Sequence, residues 1–417
     1  MTSVALLHYS CPPVVGGVEE VLRQQAQVLV QHGHDVRIVA GAGGTTEQGD
    51  TLGRRGTTVR IHPLLQSGAA DSLDPRNDPR GLEEAARRVE AVLDEALDGC
   101  DVVFAHNVLS MPFNLPLTVA VRRIAARRAQ GAAVPAVVGW NHDSPYFYPD
   151  HDPHLSDEPW RILRDPDPRI RWVTISGSRA DEFAALYGGF RPEVVPNGID
   201  PHSFLKLEPT MSTLVREERL LQADLVLVQP SRLHPRKNVE TSLRVLAALR
   251  ARGVDARLLI TGAHDPHDPR AAGYAARLRA EADRLDVRGA VVLLAGHVLG
   301  DGSRLESSQV AIRDLYQVAD VLFLPSRSEG FGLPLLEAGL IRLPVACSDI
   351  PPLREVGGDS VYRFPLDAAP EDIASGLLAH LDATPTHRMY RRVVRTRTWE
   401  RIYETHLRPL LAAVTAA

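Results

Sequence analysis

The chain has 417 residues, 44% of them hydrophobic and 24% charged, with a formal net charge of −5 and a sequence pI near 6.4. That length exceeds one ordinary hydrophobic core and predicts two domains, while the acidic balance excludes a general nucleic-acid binder, whose footprint would be basic. No run reaches the ~18 apolar residues of a membrane-spanning helix, so no membrane association is expected.

In chain order, "VALLHYS" (4–10) reads as a first strand and not as a leader peptide. Gly16 and Gly17 then precede the amphipathic helix "GVEEVLRQQAQVLVQHGH". A glycine pair between strand and helix has the form of a phosphate-approach loop, although it lacks the G-x-G-x-x-G spacing and the Walker lysine, and glycines also simply make turns. Further strands are expected at "DVRIVAG", "TVRIHPL", "DVVFAHN", "AVVGWNHD", "RWVTIS" and "EVVPNG". The helix "VRRIAARRA" (121–129) is basic, which suits a solvated face or, less commonly, a membrane surface. "VVGWNHD" ends in Asn141, His142 and Asp143, and a histidine at a strand's carboxyl end can bond a sugar hydroxyl or carry a proton. Residues 144–168 are rich in aromatics, Tyr146 among them, and in acids; they read as a lid. Within them Asp165-Pro-Asp167 mimics a metal-binding Asp-x-Asp, but it lies among prolines in a loop, so no metal is expected there.

Pro196, Asn197 and Gly198 in "VPNGIDPHSF" mark the joint, and the segment on to about residue 220 reads as linker. The second half offers strands at "DLVLVQPSR", "ARLLITG", "VVLLAGH", "VLFLPS" and "PVACS", and the helix "NVETSLRVLAALRARG". After the first of these strands stand Arg232 and Lys237, one planar cation and one compact one, a pair suited to a diphosphate. Only Lys206 and Lys237 are lysines among 47 basic residues. "HDPHDPR" (264–270) could bind a metal or, better, flank a nucleotide base. "SRSEGFGLPLLEAG" (326–339) follows "VLFLPS". Its glycines Gly330 and Gly332 permit close backbone approach, and Pro334 suits a first helical turn. The free amides there, Phe331 and Leu333 among them, make an anion site. Glu337 is an acceptor pair for adjacent hydroxyls, as on a ribose, and Glu329 can reach another part of the same ligand; two solvated glutamates on a capping loop are the plain alternative. "TWERIYETHLRPLLAAV" closes the chain as a helix that could cap either domain.

Apolar strands alternating with helices, twice over, predict two Rossmann-like domains with parallel sheets. Ligands then sit at the carboxyl ends of strands, with the cleft between the domains the expected site. Cys11, Cys100 and Cys347 are odd in number and lack metal-ligand spacing, which predicts reduced thiols and a cytoplasmic protein.

Together "GGVEEVL", "VVGWNHD", "VTISGSRA", "VVPNGID", "PSRLHPRKN" and "SRSEGFGLPLLEAG" resemble the family-4 retaining glycosyltransferases of GT-B architecture, over nearly the whole chain. The resemblance implies an acceptor-binding domain at 1–200, completed by a helix at 397–417 that crosses back to it, and a donor-binding domain at 201–396. It implies hexose transfer from a nucleotide-diphosphate sugar to a hydroxyl, with retention and without a metal or other cofactor, and the scarcity of apolar stretches suggests that the acceptor is soluble. Glu337 would hold the ribose. Glu329 and the amides of Gly330, Phe331, Gly332 and Leu333 would hold the sugar. Arg232 and Lys237, helped by Gly16 and Gly17, would neutralise the diphosphate. His142 would contact the sugar near the reacting carbon, leaving Asn141, Asp143 and Tyr146 on the acceptor side. The leaving phosphate itself would take the acceptor's proton, and the domains would close on the donor. "HPRKN" departs from the lysine-glycine pair of many relatives. A 2-epimerase of the same build and a silent nucleotide-sugar-binding protein are the rival readings, and UDP, GDP and ADP donors all stay open.

Overall fold

The computed structural model describes residues 1–44, 57–70, 78–262, 271–306 and 308–416; the segment 264–270 expected near a base or metal lies outside them. The chain divides into two compact units, Met1–Asp200 with Arg397–Ala417, and Pro201–Thr396.

The first unit is a seven-stranded sheet of β1 (Ser3–Ser10), β2 (Asp35–Ala42), β3 (Thr57–Ile61), β4 (Val102–His106), β5 (Ala136–Asn141), β6 (Arg171–Thr174) and β7 (Glu193–Val194), in the order β3-β2-β1-β4-β5-β6-β7. All pairings are parallel, with Leu6 opposite Ile38 on one side and Phe104 on the other. β4 and β5 are buried along their whole length, as expected of strands covered on both faces. On one face Val4, Leu6, Ile38, Phe104 and Trp140 pack against Leu22 and Ala26 of helix Gly17–Gln31. Ala5, Leu7, Val39 and Val103 turn to the other face, against Leu93, Leu117 and Ile124. The closing segment belongs to this unit: Trp399, Ile402, Tyr403, Leu407 and Leu411 join the first of these clusters. It is a helix interrupted by a π-helical stretch at Tyr403–Leu407.

The second unit has six parallel strands, β8 (Leu225–Gln229), β9 (Ala256–Ile260), β10 (Val291–Leu293), β11 (Val321–Leu324), β12 (Val345–Ser348) and β13 (Tyr362–Phe364), in the order β10-β9-β8-β11-β12-β13. The segment expected as linker is instead structural. It forms helices Pro201–Phe204 and Pro209–Glu217, and Met211, Leu214 and Val215 are buried against Val226, Val228 and Leu322 of the sheet. Nine residues give too few turns for a clear apolar period, so only the sheet beneath them reveals the buried face.

Among the described residues no helix is long and apolar enough to cross a membrane. The basic helix Leu115–Ala129 has its charge matched inside the fold: Arg123 pairs with Glu83, and Arg127 with Glu90 at 2.8 Å and Asp94 at 2.9 Å, while Arg122 and Arg128 donate to the carbonyls of Ile162 and Val134. The three cysteines are free and buried.

Candidate active site

In each sheet the strand order reverses beside the first strand, between β1 and β4 and between β8 and β11. Loops leaving the carboxyl ends there diverge and open a crevice.

In the second unit the loop after β8 makes a 3-10 turn at Pro235–Lys237, capped by the His234 ring accepting from the Arg236 amide. Asn238 follows in the left-handed conformation, φ 53°, which suits asparagine better than most residues. Its side-chain amide donates to Pro325 O at 3.0 Å and its oxygen accepts from Arg327 at 2.9 Å, so the turn after β8 is stitched to the turn after β11. Behind it Ser242 Oγ donates to Gln229 Oε1 at 2.6 Å, and Gln229 Nε2 to Lys237 O at 2.9 Å. This frame delivers Lys237 Nζ to Glu329 Oε1 at 2.5 Å, where Ser326 Oγ also donates, at 2.6 Å. The Arg236 guanidinium lies 3.6 Å from Glu329 Oε2. The Lys237 and Glu329 side chains are only 13% and 10% exposed. Arg232 is exposed on the same loop.

Helix Leu333–Leu340 begins beyond Gly332, whose φ of 108° favours glycine, and a Cβ there would also meet Leu353 Cδ2 at 2.8 Å. No side chain caps this end, so its amides face outward beside exposed Phe331 and Leu333, and Gly330 has open space where a Cβ would stand. Glu337 is exposed and accepts from Tyr316 OH at 2.7 Å through Oε2. Its Oε1 makes no hydrogen bond among the described residues. Burial, then the Glu337 carboxylate, push the Tyr316 phenol up, so it stays a hydrogen-bond donor.

In the first unit Glu19 folds back over the loop after β1. Ser10 Oγ donates to it at 2.5 Å, and a Cβ on Gly16 would stand 2.0 Å from its carboxylate, whereas Gly17 faces open space. His142 is 7% exposed, its backbone amide held by Asn107 Oδ1 at 2.8 Å and its ring nitrogen Nε2 lying 3.0 Å from His106 Nδ1. Burial pushes His8 down to about 4 and His142 to about 3, and takes His106 well below the ordinary histidine range. Asn141 is fully buried; its side-chain amide donates to Tyr187 OH at 3.1 Å, and its Oδ1, sealed from solvent, has no hydrogen-bond partner among the described residues. Asp143 is engaged by Tyr148 OH at 2.8 Å and Arg179 at 3.2 Å. Tyr146 OH donates to Leu155 O, with Arg164 over its ring, so it braces the 144–168 segment from within. That segment is a succession of short 3-10 turns.

The Asp165-Pro-Asp167 pair is not an open ligand set: Asp167 is 2% exposed and held by Arg169 at 2.8 and 2.7 Å. His32, Glu400 and Glu404 approach one another at the far end of helix Gly17–Gln31. There the His32 ring stacks on Tyr403 at 3.6 Å and Glu404 pairs with Arg408, which makes the group a docking contact for the closing segment.

The structure thus joins Lys237 to Glu329 and adds Arg236, Ser326, Tyr316 and His106, which sequence reasoning passed over. Each stands beside a residue that was singled out. His106 carried the same signal as His142, a polar ring at a strand's carboxyl end.

The family model "Glycosyl transferases group 1" matches residues 212–396, and "Glycosyltransferase Family 4" matches residues 15–203. The mannosylglucosylglycerate synthase of Petrotoga mobilis is 23% identical over 374 residues, 84% of this chain and 82% of the relative. The GDP-mannose-dependent alpha-(1-6)-phosphatidylinositol dimannoside mannosyltransferase of Mycobacterium tuberculosis is 30% identical over 234 residues, 55% of this chain and 54% of that one. The solved sucrose-phosphate synthase of Thermosynechococcus elongatus aligns over 100% of both chains at 16% identity with a TM-score of 0.38.

Proposed function

Because the chain belongs to the group 1, family 4 glycosyltransferases, hexosyltransferases of a retaining family that use nucleotide-sugar donors, we propose that it moves a mannosyl unit from GDP-mannose to a hydroxyl of a soluble acceptor, without a metal. The sugar is suggested by the names of the two relatives above and the base by one of them. On this reading unit 201–396 binds the donor and unit 1–200 with 397–417 the acceptor.

The observation that carries the proposal is the Lys237–Glu329 contact at the β8/β11 switch point, 92 residues apart in sequence. An ammonium held at Glu329, an exposed guanidinium at Arg232 on the same loop and an uncapped helix start four residues after Glu329 suit a departing diphosphate. Lys237 and Arg232 stabilise its charge as the glycosidic bond breaks, which is transition-state stabilisation of the electrostatic kind. Glu329 holds Lys237 in place and offers Oε2 toward the sugar; the amides after Gly330 take sugar hydroxyls. Glu337 takes the ribose diol through Oε1. His142 bonds the sugar, and the leaving phosphate accepts the acceptor's proton as the new bond forms on the same face. Gly17, which faces open space, gives the diphosphate a close approach, while Gly16 is covered by the Glu19 carboxylate.

Incubation of the chain with GDP-mannose, UDP-glucose and ADP-glucose, each in excess EDTA with a panel of small sugars and polyols, tests this. Mannosyl product from GDP-mannose with α configuration is the expected result. Product only from another donor, or only after a divalent ion is restored, contradicts it.

A further inference from the structure

His8 lies two residues before the end of β1, His106 ends β4, and His142 lies one residue beyond β5, on three neighbouring strands. His106 is the central ring. It is fully buried, 5.4 Å from the Trp140 ring, with Nδ1 3.0 Å from His142 Nε2. Its other nitrogen, Nε2, is sealed from solvent and has no hydrogen-bond partner among the described residues. His142 Nδ1 is not sealed in this way and makes no hydrogen bond among the described residues.

Two neutral imidazoles can share one hydrogen bond in two ways. If His142 Nε2 donates, His106 must carry its own proton on Nε2, a buried N–H with no acceptor. If His106 Nδ1 donates, the sealed Nε2 is a bare lone pair. A buried orphan donor is the rarer and costlier defect, so the second arrangement wins. The proton of His142 then sits on Nδ1.

We infer that His106 is a positioning residue that locks His142 in its Nδ1-protonated, neutral form, so that His142 meets its ligand as a hydrogen-bond donor and not as a base. This rests on the reading of His142 as the sugar-contacting residue, but the tautomer itself is readable without substrate. It also closes the proton count of the transfer. The acceptor oxygen bonds the anomeric carbon, the carbon–phosphate oxygen bond breaks, and the acceptor's proton goes to the departing diphosphate because His142 has no free lone pair to take it.

The test is a long-range proton–nitrogen NMR spectrum of the full chain labelled in histidine, at neutral pH without ligand, with His142 assigned by its loss in His142→Gln. A protonated-type Nδ1 and a bare-type Nε2 on His142 are expected. In His106→Asn the side-chain amide replaces the Nδ1–H donor, so the signature and most of the turnover persist. In His106→Leu His142 shows mixed tautomers and kcat falls about tenfold, the order of one lost hydrogen bond. A proton on His142 Nε2 in the wild type overturns the inference, whatever the variants do. The expected tautomer combined with unchanged turnover in His142→Gln leaves the lock standing and sinks the sugar-contact reading instead.

Discussion

Lys237 Nζ donates to Glu329 Oε1 at 2.5 Å, joining the turn after β8 to the turn after β11 through two side chains that are almost wholly withdrawn from solvent. Ser326 shares the same carboxylate oxygen and Arg236 approaches the other. The ion pair fixes the cation at the crevice where strand order reverses.

Removing one partner leaves the other charge poorly solvated. Lys237→Met is expected to lower unfolding free energy by about 1–3 kcal/mol. Pairing it with Glu329→Leu should recover part of that loss in a double-mutant cycle read by urea denaturation. Strictly additive losses would show that the two side chains do not interact.

Gly198 is fixed by the closing segment. A Cβ there would stand 2.8 Å from Trp399 Cδ2 and 3.0 Å from its backbone nitrogen, where Ile199 and Thr398 form a parallel bridge. Gly198→Ala should therefore cost about 1–3 kcal/mol through overpacking and speed proteolysis within 397–416. An unchanged melting temperature and digestion rate would remove this glycine from the docking account.

The histidine row predicts an acid limit. Burial holds His8 at about 4 and His142 at about 3, against 6.5 for a free ring. As pH falls through 6.5 the unfolded chain takes up protons that the folded chain refuses until it reaches those lower values. The unfolded state thus binds more protons in that window, and stability drops as pH falls, by up to ~1.4 kcal/mol per pH unit for each ring. His8→Asn should flatten the slope of urea-derived stability between pH 6.5 and 4 by about one proton. Carboxylates such as Glu281 add their own acid loss, but that loss is common to both proteins. Equal slopes would mean that His8 is not held neutral by the fold.

Most of the strands were legible because parallel strands covered on both faces are written as unbroken apolar runs. β13 was passed over because Tyr362–Phe364 is three residues long and offers no period. The helix Pro209–Glu217 looked like linker because its buried face is defined by Val226, Val228 and Leu322 elsewhere in the chain. The site divides in the same way. Glu329, Lys237 and Glu337 stand out in sequence as charges among glycines, prolines and apolar residues after strands. That the Asn141 amide donates to Tyr187, and Tyr146 to Leu155 O, depends on partners that only the folded chain brings near.

The central claim is that the second unit binds a guanosine diphosphate sugar through Glu337 without a metal. The most direct measurement is the thermal midpoint of wild type and Glu337→Ala with saturating GDP, UDP or ADP in excess EDTA, since a ligand that binds only the folded protein raises it. GDP should raise the wild-type midpoint most, and the variant should lose most of the shift, as expected when a charged acceptor worth roughly 1.5–3 kcal/mol is removed. A GDP shift that is absent, or identical in the variant, would contradict the account.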